Sequence, residues 1–223
     1  MDNSNLSLPV IVSISGASGT IYGIRLLQFL LENNYKVELV ISESAAKVAQ
    51  AEINLNLSLN PKTLKEQVET YCGRSLHSFS HLNVWAHNDI AASISSGSYR
   101  TSGMIIIPAS IGTIGAIASG TSDNLITRAA DVCLKERRKL ILVPREMPLS
   151  TIHLENLLKL SKAGAIIAPA CPGFYHNPKE LTDAVDFVVG KVLDLIGIDH
   201  SLFKRWKEMS LQGGSERASM AIS

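Results

Sequence analysis

The sequence is short of net charge, of paired cysteines and of long apolar runs, and each shortage removes a class of function. Its 21 basic residues stand against 20 acidic ones, leaving a formal charge of +1. A general nucleic-acid or anionic-membrane binder would show a basic excess or stripe, so neither is expected as a partner. Cys72, Cys133 and Cys171 are an odd number, lie far apart and form no CxxC pair. That fits neither a disulfide framework nor a cysteine zinc site, and it suits a reducing compartment. His77, His81 and His87 lack the third ligand and the glutamate spacing of a zinc motif, so no metal site is expected. No apolar run approaches the roughly 20 residues of a membrane span. The opening MDNSNLSLP has neither the basic nor the apolar region of a signal peptide. The expectation is a cytoplasmic protein.

What is present is a globular composition, 46% hydrophobic over 223 residues. A chain of this size can bury about 70% of its unfolded surface in one core. Pro9–Ile14 reads as a buried strand that runs into the glycine-bearing turn SGASG. From Thr20 the pattern turns helical, with Ile21, Ile24, Leu27, Leu30 and Leu31 on one face, and Tyr35–Ser42 reads as the next strand. Helix follows at Glu43–Glu52, and a further helix at Lys62–Tyr71 lies within a polar connection from Asn54 to Asp89. Strands are then expected at Met104–Ile107, Lys139–Pro144 and Ala165–Ala168. Helices are expected at Ile111–Ala118, Asn124–Lys135, His153–Lys162 and Thr182–Ile196. Such alternation predicts a doubly wound α/β domain with a mainly parallel sheet covered on both faces. No repeat or linker divides the chain. Residues 1–206 are read as one domain and residues 207–223, small and polar, as a flexible tail.

Four segments could carry chemistry. The SGASG turn between strand and helix brings backbone N–H groups and a helix N-terminus to one point, which suits a phosphate and equally suits a plain tight turn. Pro108–Thr113 repeats that arrangement, with Ser110 as a ligand-facing hydroxyl or an N-cap. Asn124–Glu146 holds Arg128, Lys135, Arg145 and Glu146; Arg128 and Lys135 fall near one helical face, and Arg145 and Glu146 follow a strand directly. Cations in those places suit a phosphoryl group. Tyr175 and His176 follow the last strand, as site residues or ordinary surface ones.

These segments together resemble the flavin prenyltransferases, the UbiX family. The likeness rests on SGASGTIYGIRLL from Ser15, SSGSYRT from Ser95 and the long run NLITRAADVCLKERRKLILVPREMPLSTIHL from Asn124. It continues through CPGFYH to His176 and DFVVGKVLDLIGI from Asp186. The resemblance implies a flavodoxin-like, Rossmann-like domain assembled into a dodecamer. It implies metal-independent transfer of a dimethylallyl group from dimethylallyl phosphate to N5 and C6 of reduced FMN. The prenylated FMN then serves a UbiD-type decarboxylase, in ubiquinone synthesis or aromatic-acid degradation.

Carried onto this chain, the resemblance places Gly16, Ala17, Ser18, Ser42, Ser110, Ile111, Gly112, Thr113 and Arg128 around FMN. Lys135, Arg145, Tyr175, Lys191 and Trp206 fall to the dimethylallyl phosphate. Ser18 and Glu52 are implied as a proton shuttle, and Glu146 as a further active-site carboxylate. The chain has Ala109 where many relatives have cysteine and Lys191 where some have arginine; small size and positive charge are kept. Two other readings compete: an FMN-dependent cysteine decarboxylase, suggested by PASIGT but lacking that family's asparagine at position 112, and a non-catalytic FMN-binding scaffold.

Overall fold

The computed structural model describes residues 8–72 and 80–205; the expected tail, Trp206 and His77 lie outside the described residues. The chain divides into two compact units, one running to Ala170 and one from Cys171 onward.

The first unit is built on six strands: β1 (Val10–Ile14), β2 (Val37–Ile41), β3 (Leu82–Trp85), β4 (Gly103–Ala109), β5 (Leu140–Pro144) and β6 (Ile166–Ile167). Between them run α1 (Thr20–Glu32), α2 (Glu43–Ile53), α3 (Pro61–Tyr71), α4 (Ile111–Ser119), α5 (Leu125–Lys135) and α6 (Thr151–Lys162). Every pairing is parallel, and the strand order is β3-β2-β1-β4-β5-β6. The five strands expected from the sequence take the flavodoxin order among themselves. The sixth, β3, lies in the polar connection where no strand is expected, and its addition outside β2 produces the Rossmann order. Its residues LNVW include a single fully buried side chain, Leu82, so no alternation long enough to read is present.

β1, β2, β4 and β5 are buried at every position, as strands covered on both faces must be. On one face Ile11, Met104, Ile106, Leu140 and Leu142 share a core with residues of α4, α5 and α6. α1 buries Ile24, Leu27, Leu30 and Leu31, and it approaches the sheet closely at Gly23. A Cβ there would collide with the Ile107 carbonyl and stand 2.9 Å from Ile14 Cδ1.

Ser15, 1% exposed, ties the ends of β1 and β4 together. Its Oγ donates to the Pro108 carbonyl at 2.9 Å and accepts from the Ser110 N–H at 2.7 Å. Its own N–H donates to the same carbonyl at 3.2 Å. The β4–β5 ladder shifts register between Ile106 and Ala109, which leaves Pro108 facing this contact.

The second unit contains α7 (Leu181–Ile196), closed by Gly197 in the left-handed region at φ 94°. The segment after it folds back onto the helix at Gly190, where a Cβ would stand 2.5 Å from both His200 Cε1 and Phe203 Cε1.

Two substitutions test this framework. Ser15→Ala leaves the Ser110 N–H without its acceptor and is expected to cost about 1–3 kcal/mol. Gly23→Ala forces α1 off the sheet and is expected to cost about 1–3 kcal/mol. Urea unfolding of each variant measures both, and a change within roughly 0.5 kcal/mol would remove the tie or the close approach from the account.

Candidate active site at the carboxyl edge of the sheet

The chain turns one way from β1 to β2 and the other way from β4 to β5, so β1 and β4 flank the switch point where open α/β sheets bind ligands. Four segments emerge there: Ser15–Gly19, Ser42–Ser44, Ser110–Thr113 and Arg145–Glu146. Ser42 caps α2, its Oγ accepting from the Ala45 N–H at 3.1 Å and lying 3.1 Å from Ser44 Oγ. A Cβ at Gly16 would collide with the Ser44 side chain, so glycine there lets the first two loops close on each other. Ser110 caps α4 in the same way, accepting from the Thr113 N–H at 3.2 Å with the two hydroxyl oxygens 3.0 Å apart.

Gly112, in the first turn of α4, differs from Gly16 and Gly19. Among the described residues no atom would meet a Cβ built on it, so packing against them gives no reason for glycine. The first-turn amides of Ile111 and Gly112 have no intrahelical acceptor. Open space beside two such amides and two hydroxyls fits an anionic, tightly apposed ligand such as a flavin phosphate or ribityl chain.

The N-terminus of α1, where the SGASG turn suits a phosphate and a plain tight turn equally, meets a carboxylate of the chain itself. Gly19, at φ 101°, begins the helix without a side-chain cap of its own. Glu52, from the end of α2, supplies it: the Gly19 N–H donates to the carboxylate at 2.9 and 3.0 Å, and the Thr20 N–H at 3.1 Å. The Arg145 Nε donates to the Ser18 carbonyl at 3.2 Å. Partial burial works against the charge on Glu52, but the Ser18 hydroxyl, the two amides and the Arg145 guanidinium outweigh it and hold the carboxyl below the ordinary glutamate value. Ser18, Glu52 and Arg145 are thus brought together, although Arg145 lies 127 residues from Ser18 in sequence.

The other expected residues fall elsewhere. Glu146 is exposed beside this corner and accepts from the Met147 N–H at 3.0 Å. Arg128 is engaged with Asp131 at 2.9 Å and with the Ser95 carbonyl at 3.2 Å. Lys135 pairs with Glu136 at 2.7 Å against Gly97. Its helix ends where β5 begins, whereas Arg145 stands where β5 ends. The five residues of β5 put roughly 16 Å of backbone, at about 3.3 Å per residue, between the two ends at which these residues stand. In the second unit, the Tyr175 ring meets Phe187 edge-on at 5.7 Å. Lys191, one turn beyond Phe187 on α7, lies 3.9 Å from Asp194. Sequence reasoning missed Ser15 as the tie between the loops; its signal is a serine at the very end of a buried strand. Among the described residues no cluster of His, Cys, Asp or Glu could hold a metal ion. No described helix is long and apolar enough to cross a membrane.

Comparison with known proteins agrees with this arrangement. Residues 2–193 match the family model described as Flavoprotein. The chain is 51% identical over 197 residues to a flavin prenyltransferase UbiX of Alkalihalophilus pseudofirmus, covering 88% of this chain and 95% of that one. Among solved structures, AnUbiX in complex with FMN and dimethylallyl pyrophosphate superposes with a TM-score of 0.78 at 39% identity, over 89% of this chain and 97% of that one. A dodecameric FMN-dependent UbiX-like decarboxylase from Escherichia coli O157:H7 gives 0.76 at 43% identity, over 89% and 99%. Likeness of this extent makes the chain a member of the flavin prenyltransferase (UbiX) family of flavoproteins.

Proposed function

We propose that the chain transfers the dimethylallyl group of dimethylallyl phosphate to reduced FMN and that the prenylated FMN passes to a UbiD-type decarboxylase. The observation that carries this reading is the meeting of Ser18, Glu52 and Arg145 at one corner of the switch-point crevice, in a member of that family. Reduced FMN supplies the nucleophilic N5 and C6. Gly16, Ala17, Ser18, Ser42 and Ser110–Thr113 hold it, with the open space over Gly112 admitting its close approach. Arg128, which within the chain engages Asp131 and the Ser95 carbonyl, is the basic residue assigned to FMN in this reading.

Formation of the N5–carbon bond breaks the donor's C–O bond and releases phosphate and the N5 proton. Addition of C6 to the donor's C=C bond puts a proton on the other alkene carbon while the C6 proton is lost, so the flavin gains C5H8 and one net proton goes to phosphate. A monophosphate is a poor leaving group, so the site must concentrate positive charge where its charge develops. Arg145, Lys135, Lys191 and the Tyr175 hydroxyl serve that end. Glu52 is ionised in the neutral range and takes up the proton lost on ring closure, with the Ser18 hydroxyl as relay. Glu146 hydrogen-bonds a protonated phosphate oxygen.

Because Lys135 and Arg145 stand at opposite ends of β5, they serve one phosphate only if different copies of the chain supply them. The active form is therefore a homo-oligomer in which Lys135 of one copy meets Arg145 of another, and the dodecamer of the Escherichia coli relative is the size proposed.

Anaerobic incubation with reduced FMN and either the mono- or the diphosphate donor, followed by mass spectrometry, should show flavin gaining one C5H8 unit. Unmodified flavin from FMN-loaded protein would refute the transferase reading. Glu52→Gln should slow prenylation by about a hundredfold or more. Mixing Glu52→Gln with Lys135→Met subunits should restore about a quarter of the wild-type rate, because random pairing leaves one junction in four intact. No recovery in verified mixed oligomers would place both residues in one copy's site. Since Glu52 is held below the ordinary glutamate value, its carboxylate is present at neutral pH and lost only in acid, so a Glu52-dependent acid limb of the rate should lie on the acid side of that value. A limb near neutrality that disappears in Glu52→Gln would contradict the ionised state.

A further inference from the structure

β2 carries one charged residue in an apolar run, VELVI, and that residue, Glu38, is as buried as its neighbours at 1% exposure. Its Oε1 accepts from the Tyr99 hydroxyl at 2.6 Å and from Asn83 Nδ2 at 3.0 Å. Its Oε2 accepts from Trp85 Nε1 at 2.6 Å. All three donors are neutral. Burial of a carboxylate costs several kcal/mol and is offset only when its lone pairs are met. An apolar residue would fill a buried strand position at lower cost, so the network's benefit lies in what it fixes.

What it fixes is the loop SSGSYR. Glu38 holds the Tyr99 side chain, while Arg138 Nη1 donates to the Tyr99 carbonyl at 2.6 Å. Arg138 Nη2 donates to the Gly97 carbonyl, and Arg128 Nε to the Ser95 carbonyl. Lys135 and Glu136 rest on this loop. A Cβ at Gly97 would collide with Glu136 Oε1 and stand 2.9 Å from Lys135 Nζ. The chain of contact thus runs from Glu38 through Tyr99 and Gly97 to the Lys135 ammonium.

We propose that Glu38 is a positioning residue for the donor phosphate, acting through Tyr99 and the Ser95–Arg100 loop to set where Lys135 Nζ stands. The inference rests on the reading of Lys135 as a phosphate ligand. Glu38 meets neither FMN nor donor; it locks the surface from which Lys135 is presented to the neighbouring copy.

The test is calorimetric titration of dimethylallyl phosphate into the FMN-loaded oligomer. Tyr99→Phe keeps the ring and removes the hydroxyl, and it should weaken donor binding about three- to tenfold. FMN affinity and oligomer size should stay unchanged, which general destabilisation would not allow. The effect should vanish in a Lys135→Met background, because both changes act on one contact. Gly97→Ala is the second variant. It reaches Lys135 without touching the Glu38 network, meets only the ends of flexible side chains, and should weaken binding in the same way. Wild-type donor affinity in Tyr99→Phe and Gly97→Ala, with Lys135→Met weakened, overturns the inference alone. Wild-type affinity in Lys135→Met overturns the reading of Lys135 and the inference with it.

Discussion

The site depends on one buried hydroxyl. Ser15 Oγ donates to the Pro108 carbonyl and accepts from the Ser110 amide, so the loops after β1 and β4 are fixed to each other by a residue that belongs to neither loop's exposed face. The switch point of a doubly wound sheet is a gap by construction, since no crossover connects its two sides over the carboxyl edge. A side chain that spans the gap from below keeps its two walls in register while leaving the top open. Ser110 then caps α4, and the position of that cap sets Thr113, Ile111 and Gly112. The geometry of the second loop is inherited from the end of the first strand.

The second constraint is the sign of charge at helix starts. Three helices, α1, α2 and α4, begin at the carboxyl edge, each with a partial positive charge and unsatisfied amides. α2 and α4 satisfy part of theirs with Ser42 and Ser110. α1 starts at a glycine in the left-handed region and cannot, so Glu52 arrives from α2 to do so. One carboxylate therefore links α1 to α2 and stands ionised beside Ser18 and Arg145. The glycine that permits the turn is also the reason an ionised carboxylate is held there.

Regular features of the fold were legible in the sequence, and compensating ones were not. Buried strands such as MIII and KLILVP and the periodicity of α1 and α7 are set by residues within each element, which local pattern reports. β3 escaped because only Leu82 is fully buried and its place depends on pairing with β2, a long-range contact. The SGASG turn was correctly placed after a strand, yet its occupant could not be read locally, because Glu52 lies more than thirty residues further on. Glu38 is visible as a lone acid in VELVI, but its three partners are scattered from Asn83 to Tyr99. Arg128 and Lys135 were rightly placed near one helical face, since both bear on the Ser95–Gly97 stretch. Spacing alone could not show that this stretch lies away from Arg145.

Under the proposed function, cations that bind a phosphate have to remain tolerable without it, and each of the three is paired locally in the chain. Lys135 has Glu136 at 2.7 Å, Lys191 has Asp194 at 3.9 Å, and Arg145 faces Glu52 across the Ser18 carbonyl. Exposed pairs of this kind contribute little stability, typically about 0–1 kcal/mol. Such weak pairs suit residues that must exchange partners, because a phosphate bearing more charge and more acceptor atoms than a carboxylate can displace them at small cost. The same local pairing is in keeping with a chain whose net charge is only +1: positive charge is not accumulated over the molecule, and each of these cations has an acidic neighbour.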